Sequence, residues 1–233
     1  MKILVIPDVH LKPRIFDRAM EIMENSDCVR AVCVGDIADD WGLQRDVELY
    51  EKTMKKAVEF AKKYPDTLWC YGNHDLAYLW DKYDHPGFSV CAKDTVCEYF
   101  NILDETVDLA IIHRVDNVLF SHAGLTKEFV DYYLAEYRDD VDALIDAVNG
   151  MDEAALWDDI SPLWARPQYN YVDGDMYPAG YLQVVGHTPV RRITHQGDLL
   201  TVDVFSTDRM GRPIGTEDFC WVDTVTKEWG IIS

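Results

Sequence analysis

The chain has 233 residues, and its 42 acidic residues against 22 basic ones give a net charge of −20. Apolar residues make up 48% of the chain, which is enough for a packed core and excludes a disordered protein. A charge this negative disfavours broad binding to nucleic acid or to an anionic membrane, because both need a surface rich in Lys and Arg. A small phosphorylated substrate stays compatible, since a bound metal supplies local positive charge.

The cysteine pattern and the N-terminal sequence bear on the cellular compartment. The six cysteines include no CxxC pair, which indicates reduced thiols rather than a disulfide or zinc framework. The first ten residues hold too short an apolar run for a signal peptide, and no run approaches the ~20 apolar residues of a membrane span. We therefore expect one cytoplasmic domain over residues 1–233, with no membrane association.

The first third of the chain alternates short apolar runs with helical patterns. Strands are predicted at residues 2–6, 28–34 and 67–71, and helices at residues 13–25 and 43–64. Strand and helix in alternation predict an α/β sheet with right-handed crossovers.

The rest of the chain predicts a second sheet and an insertion. Apolar runs at 108–113 and 117–121 flank a turn and indicate a hairpin. Residues 125–180 are helical at first and then irregular, and they are dense in Tyr and Trp, which we interpret as a small cap insertion. Further strands are predicted at 182–185, 199–205, 219–223 and 229–232.

Polar residues follow five of the predicted strands. The stretches are Asp8-Val9-His10, Gly35-Asp36-Ile37-Ala38-Asp39, Gly72-Asn73-His74-Asp75, Ser121-His122-Ala123-Gly124 and Gly186-His187-Thr188-Pro189. Loops beyond the strand ends of an α/β sheet form its active-site crevice, so these stretches are expected to meet in one place.

The residue types in these stretches indicate a metal centre. The candidate ligands are Asp8, His10, Asp36, Asn73, His122 and His187. This nitrogen and oxygen set suits Mn²⁺, Fe, Zn²⁺ or Co²⁺ and lacks the thiolates of structural zinc sites. Six ligands are too many for one metal that keeps open positions, but they fit two metals about 3.5–4 Å apart with a bridging carboxylate.

The ordered series of motifs, from residue 8 to residue 189, resembles the calcineurin-like metallophosphoesterase superfamily. The pattern of that superfamily is DxH, GDxxD, GNH[DE], a later His-Ala/Gly-Gly and a final GH. The resemblance implies a four-layer α/β/β/α sandwich with two mixed sheets, which here carries the small cap insertion at about 125–180. It also implies two divalent metal ions, with Mn²⁺ the first choice.

The resemblance also implies a role for each matching residue. Asp8 and His10 would hold the first metal, and Asp36 would bridge the two. The second metal would be held by Asn73, His122 and His187. His74 would be the general acid, oriented by Asp39, and a metal-bridging hydroxide would attack the phosphorus directly, without a phosphoenzyme.

The end of the series points to one branch of the superfamily. Pro189 stands where other branches place a second His in a GHxH motif, and Trp164-Ala165-Arg166 is similar to a Trp-x-Arg segment of the phosphoprotein phosphatases. The chain therefore resembles bacterial and phage-type serine/threonine phosphatases. This likeness implies that Arg166, with Asn73, binds the substrate phosphate through a guanidinium fork suited to its oxygens.

The chain departs from that branch at its phosphate clamp. Asp40 occupies the position of a phosphate-binding Arg, and no Arg closely follows Asn73-His74-Asp75. Arg114, Arg191 and Arg192 are the other basic candidates. Among the remaining histidines, His113 is interpreted as a core residue, and His85 and His195 as surface loop residues.

The preferred function is a phosphomonoesterase similar to serine/threonine phosphatases. A nucleotide or dinucleoside-polyphosphate hydrolase or phosphodiesterase is the alternative, favoured by the aromatic cap and the missing Arg. A non-catalytic binding scaffold with the same fold is a third hypothesis. The expected partner is a small or locally presented phosphorylated substrate, a phosphoprotein or a nucleotide, rather than a long nucleic acid.

Overall fold

The computed structural model describes residues 1–80 and 85–232. Its strands are β1 (Lys2–Ile6), β2 (Arg30–Cys33), β3 (Leu68–Cys70), β4 (Asp108–Ala110), β5 (Ile112–Val115), β6 (Val118–Ser121), β7 (Leu182–Val185), β8 (Thr194–Gln196), β9 (Leu199–Thr201), β10 (Phe219–Asp223) and β11 (Trp229–Ile232). Its α-helices are α1 (Arg14–Asn25), α2 (Val47–Lys63), α3 (Asn73–Leu79), α4 (Lys93–Asp104), α5 (Lys127–Tyr133), α6 (Val141–Asn149) and α7 (Glu153–Leu156).

The strands form two mixed sheets, as the sequence predicts. The first sheet has the order β11-β10-β1-β2-β3-β4, in which β1 to β4 run parallel, β10 pairs antiparallel with β1, and β11 pairs antiparallel with β10. The second has the order β5-β6-β7-β9-β8, with parallel pairing from β6 through β7 to β9. The parallel strands β1, β2, β3, β6 and β7 are interior strands of their sheets, and their carboxyl ends carry the predicted site loops.

The two sheets pack face to face between helices. Alternate residues of β6, Val118 and Phe120, belong to the main apolar core with β1, β2, α1 and α2, whereas Leu119 points to the other side. This period of two places one face of the second sheet against the first sheet and leaves its other face for a helical layer. The order of layers is α/β/β/α, in agreement with the predicted fold class.

Residues 125–180 supply that outer helical layer. Phe129, Leu144 and Leu156, from α5, α6 and α7, form a second apolar cluster with Ile112 and Leu119 of the second sheet. Gln183 of β7 is fully buried and fixes the start of this segment, since its amide accepts from Leu125 N at 2.7 Å and donates to Leu125 O at 2.8 Å.

The predicted strand over residues 108–113 is wrong in one respect: its two halves belong to different sheets. β4 pairs with β3, and β5 pairs with β6. The Asn149 side chain stabilises the switch, because its oxygen accepts from the amides of Ile111 and Ile112 at 3.0 Å and its nitrogen donates to Ile112 O. The continuous apolar run hid this break.

Among the helices of the described residues, none combines the length and the apolar character that crossing a bilayer requires.

Candidate functional site

The loops after β1, β2, β3, β6 and β7 bring the six predicted ligands to one edge of the sandwich. Asp8 and His122 are fully buried, Asp36 and Asn73 are 2% exposed, and His187 is 6% exposed. A polar group buried this deeply is costly unless it has a partner, so this concentration of carboxylate, amide and imidazole groups indicates a binding site.

The first ligand cluster consists of Asp8, His10 and Asp36, whose ligand atoms all lie within 4.8 Å of one another. His10 Nδ1 lies 2.9 Å from the backbone oxygen of Asp39, to which it donates, and this contact leaves Nε2 for a metal. Asp8 Oδ2 accepts from His187 N at 2.8 Å, while its buried Oδ1 has no hydrogen-bond partner among the described residues.

The second ligand cluster consists of Asp36, His122 and His187, with Asn73 beside it. His122 Nδ1 donates to Val34 O over 2.9 Å, and His187 Nε2 donates to Trp164 O over 3.1 Å. The remaining nitrogens converge, since His122 Nε2 lies 3.1 Å from His187 Nδ1 and 2.9 Å from Asn73 Oδ1. Both rings are thus oriented by backbone carbonyls, as is usual for metal-ligating histidines.

Asp36 belongs to both clusters. Its Oδ2 lies 3.3 Å from His122 Nε2 and 3.8 Å from His10 Nε2, so one carboxylate faces both sides. Burial opposes protonation of His122, but the Asp36 carboxylate outweighs it and raises the His122 pKa to about 9. The cluster therefore favours positive charge at its centre. Together with the unpartnered Asp8 Oδ1, this donor set fits divalent cations on either side of Asp36.

Two glycines of the motifs are required because a carboxylate of another loop lies against their Cα atoms. A Cβ on Gly72 would lie 2.0 Å from Asp36 Oδ1, and a Cβ on Gly186 would lie 1.8 Å from Asp8 Oδ1. Three of the ligands themselves, His10, Asp36 and His187, adopt left-handed backbone conformations. Strained backbone of this kind persists where surrounding structure enforces it, which is typical of functional sites.

Asp75 contributes to the site in a way that the sequence analysis missed. Its buried carboxylate accepts from the amides of Asp36, Ile37 and Gly72 at 2.8, 2.9 and 3.0 Å. It thereby ties the loop after β2 to the loop after β3. Burial and the nearby Asp36 charge raise the Asp75 pKa to about 7.

His74 and Asp39 form a close pair at the edge of the clusters. His74 Nδ1 lies 3.1 Å from Asp39 Oδ2, while Asp39 Oδ1 accepts from the hydroxyls of Tyr50 and Tyr78, each at 2.5 Å. Burial would raise the Asp39 pKa, but neighbouring imidazoles lower it to about 2. Burial would lower the His74 pKa, but the Asp36 and Asp39 carboxylates outweigh it and raise this pKa.

His85 lies in a loop, as predicted, but the expectation that its side chain is at the surface is wrong. Its side chain is 2% exposed, and Nε2 lies 3.1 Å from Asp39 Oδ2, the oxygen that also contacts His74. The centroids of the His74 and His85 rings are 3.8 Å apart. His113 is a buried residue whose Nε2 lies 3.1 Å from Trp69 O, as expected, whereas the exposed His195 lies in β8 rather than in a loop.

A pocket of about 240 Å³ opens above the clusters. Its walls include Trp41, Trp164 and Arg166, and His74 and His85 line one side. Arg166 is positioned by hydrogen bonds from Nη1 to His187 O at 2.9 Å and to Thr188 Oγ1 at 3.3 Å. Among the described lining residues Arg166 is the one Arg or Lys, since Arg114, which pairs with Asp142, and Arg191 and Arg192 lie outside the pocket.

Asp40, which departs from the phosphatase pattern, connects segments of the pocket wall through its hydrogen bonds. It accepts from Lys12 Nζ at 2.8 Å and from the hydroxyl of Thr207, and Lys12 also donates to His10 O at 3.0 Å. Burial would raise the Asp40 pKa, but Lys12 outweighs it and lowers this pKa. Asp40 therefore links its own loop to the loops of Lys12 and Thr207. Because the charges of Asp40 and Lys12 offset each other, this pair offers no net positive charge to a phosphate.

This fold and this arrangement of ligands define a metallophosphoesterase. The model of the calcineurin-like phosphoesterase family matches residues 1–211, and the chain belongs to that family. Members of this family are hydrolytic phosphatases or phosphodiesterases and typically bind two divalent metal ions. Comparison with curated protein sequences gives no significant match.

Solved structures similar to this chain have low sequence identity to it. One is an archaeal phosphodiesterase, with 16% identity and a TM-score of 0.46, and the match covers 100% of this chain and 99% of that one. Another is a serine/threonine phosphatase from Saccharomyces cerevisiae, with 16% identity and a TM-score of 0.48, and the match covers 95% of this chain and 72% of that one. A metallophosphoesterase from Sphaerobacter thermophilus is also similar, with 15% identity and a TM-score of 0.42, and the match covers 100% of this chain and 89% of that one. Likeness at these identities concerns the fold and not the substrate.

Proposed function

We propose that the protein is a binuclear metal-dependent phosphoester hydrolase that acts on a phosphomonoester, in the manner of serine/threonine phosphatases. The observation that carries this proposal is the shared position of Asp36, whose Oδ2 faces His10 on one side and His122 on the other. A carboxylate so placed is suited to bridge two cations. Asp8 and His10 would hold the first ion, and Asn73, His122 and His187 the second.

The ions, for which Mn²⁺ is our first choice, would supply a nucleophilic water at neutral pH and offset the charge of the phosphoryl oxygens. His74 would act from the side of the pocket. Because Nδ1 faces Asp39, its Nε2 is the nitrogen left for the leaving-group oxygen. The raised His74 pKa favours the protonated ring, which a general acid needs.

Arg166 would orient the substrate phosphate, with Asn73 beneath it. Hydrogen bonds to His187 O and Thr188 Oγ1 hold the guanidinium at the pocket wall and leave further N–H groups for phosphate oxygens. The paired Asp40 adds no second cationic group. The substrate would therefore be held chiefly by the metals, which suits a small or locally presented phosphate.

A nucleotide or dinucleoside polyphosphate is the second candidate substrate. The indoles of Trp41 and Trp164 line the same pocket, and an aromatic wall of this kind can stack on a base. The net charge of −20 argues against long nucleic acids under either proposal. The six cysteines, four of them buried, form no disulfide with one another in the described structure, which supports a reducing compartment, for which we propose the cytoplasm.

The test is a Mn²⁺-dependent activity panel. It compares an aryl phosphate, a phosphopeptide, a bis-aryl phosphodiester, a 2′,3′-cyclic nucleotide and a dinucleoside polyphosphate, with chelator-treated protein as the control. We expect turnover of the aryl phosphate and the phosphopeptide. Turnover of diesters alone would contradict the monoester proposal, preference for the dinucleoside polyphosphate would favour the second candidate, and no turnover with metals bound would favour a binding scaffold.

A further inference from the structure

The His85 side chain lacks the partner that a buried imidazole needs. It is 2% exposed, yet neither ring nitrogen makes a hydrogen bond with another described residue. Nε2 approaches Asp39 Oδ2 to 3.1 Å, the distance of an ion pair, whereas Nδ1 has no polar partner among the described residues. A buried polar group without a partner costs about 1–3 kcal/mol, so the position calls for a ligand.

The atoms around His85 have the spacing of a metal site. One ligand atom each from Asp39, His74 and His85 lies within 4.8 Å of the others. Asp39 Oδ2 is 3.1 Å from His74 Nδ1 and 3.1 Å from His85 Nε2. A tetrahedral zinc ion with bonds near 2.1 Å separates its ligand atoms by about 3.4 Å, and the two distances from Asp39 Oδ2 are close to this edge length.

The residues around Asp39, His74 and His85 also favour a metal site. The hydroxyls of Tyr50 and Tyr78 hold Asp39 Oδ1 and thereby turn Oδ2 toward the two imidazoles. All three residues also line the pocket, which leaves a fourth position open to a water or a phosphate oxygen. Two imidazoles, one carboxylate and an open position form a ligand set typical of zinc, which binds such sites more tightly than Mn²⁺.

We propose that Asp39, His74 and His85 form a third metal site, separate from the two ligand clusters that share Asp36, and that it binds Zn²⁺. The ion lies between His74 Nδ1 and Asp39, so it separates the proposed general acid from its carboxylate. Zinc at this site therefore inhibits hydrolysis, a consequence that rests on the proposed function, whereas the binding itself does not.

The binding test measures metal content without substrate. Protein saturated with Mn²⁺ is equilibrated with Zn²⁺, freed of unbound ions and analysed for both elements. We expect about three metal ions per chain in total, at least one of them Zn²⁺, in the wild type and in His195→Gln, an exposed histidine of β8 that serves as the matched control. His85→Gln and His85→Asn are expected to bind about two ions in total. A total of three in the folded His85 variants, or of two in the wild type, would overturn the site, whereas exchange of Zn²⁺ for Mn²⁺ at the clusters around Asp36 leaves the total unchanged.

A spectroscopic measurement on the wild type avoids any effect of substitution on folding. One equivalent of Co²⁺ added to Mn²⁺-saturated protein is expected to give the intense visible bands of a four-coordinate ion. Weak bands of six-coordinate Co²⁺ would contradict the site.

The inhibition test uses each variant's own zinc-free rate as its reference. We expect His85→Gln to need at least about tenfold more Zn²⁺ for half inhibition than the wild type or His195→Gln. Equal sensitivity would overturn the inhibitory role and assign zinc inhibition to the clusters around Asp36. If no substrate of the panel is hydrolysed, the proposed function fails, while metal content still decides the third site.

Discussion

The metal floor and the substrate rim of the pocket are built differently. By metal floor we mean the six proposed ligands, and by substrate rim Trp41, His85, Trp164 and Arg166. Five of the six floor ligands are buried and His10 is partly buried, the three histidines are oriented by backbone oxygens, and two glycines approach the aspartates so closely that a Cβ has no room. Arg166 and Trp41 of the rim are exposed, and Asp40, which departs from the phosphatase pattern, directly precedes Trp41.

The contrast teaches that the two regions carry different parts of the function. Metal coordination tolerates little change in atom position, so the floor needs fixed backbone and many buried hydrogen bonds. Substrate selection depends on side chains that face solvent and can change without disturbing the fold. We therefore expect substitutions in the floor to abolish hydrolysis and substitutions in the rim to alter affinity or substrate preference.

The largest effect is expected for Asp36→Asn. Loss of the shared carboxylate should weaken the hold on both metals and lower kcat/KM by about 10³-fold or more, because an electrostatic partner of the transition state is lost. Steady-state kinetics with an aryl phosphate measures this. Asp139→Asn, at an exposed position, is the matched control. A kcat/KM within tenfold of the wild-type value would mean that Asp36 does not bridge.

His74→Asn should come next. We expect kcat to fall by about 10²–10⁴-fold with Mn²⁺ content unchanged, the range for loss of a general acid. Aryl phosphates with a very acidic leaving group should be affected least, since they need little protonation. A normal kcat would remove His74 from this role, and lost Mn²⁺ would place it among the ligands instead.

Asp39→Asn should change the pH profile. The raised His74 pKa keeps the ring protonated to higher pH, so activity should be lost as pH rises through that pKa. Without the Asp39 charge the His74 pKa falls, and the alkaline limb of the kcat profile should move to lower pH by roughly one unit or more. An unmoved limb in an active variant would show that Asp39 does not control His74.

The smallest effect is expected at the rim. Arg166→Ala should weaken inhibition by inorganic phosphate by about tenfold, equal to ~1.4 kcal/mol and modest because the residue is exposed, with a higher KM and a smaller change in kcat. Arg192→Ala, outside the pocket, is the control. Unchanged phosphate inhibition would assign Arg166 to structure alone.

The metal floor could be predicted from the sequence because each of its ligands follows an apolar strand and stands beside a residue of distinctive type. Gly72 and Gly186 show why the motif glycines matter: each leaves space for a carboxylate of another loop. The alternation of strands and helices predicted the first sheet and the hairpin pattern a second one, whereas the four-layer sandwich was implied by the family resemblance. The individual roles of the floor residues stay predictions until metal binding is measured.

Other features carried no periodic or positional signal. His85 reaches Asp39 from a turn at His85-Pro86-Gly87, and nothing in that turn indicates which buried carboxylate it meets. Asp75 was visible as part of a motif, but its four-way backbone contacts depend on how two loops meet. The strand switch after Ala110 depends on Asn149, which is distant in sequence.

The most direct test of the account is the metal content of the wild-type protein at Mn²⁺ saturation, combined with electron paramagnetic resonance of the same sample. The account predicts close to two Mn²⁺ per chain with the spectrum of a spin-coupled pair, because Asp36 joins the two clusters. One Mn²⁺ per chain or none, or two ions without coupling, would contradict a binuclear centre built on Asp36.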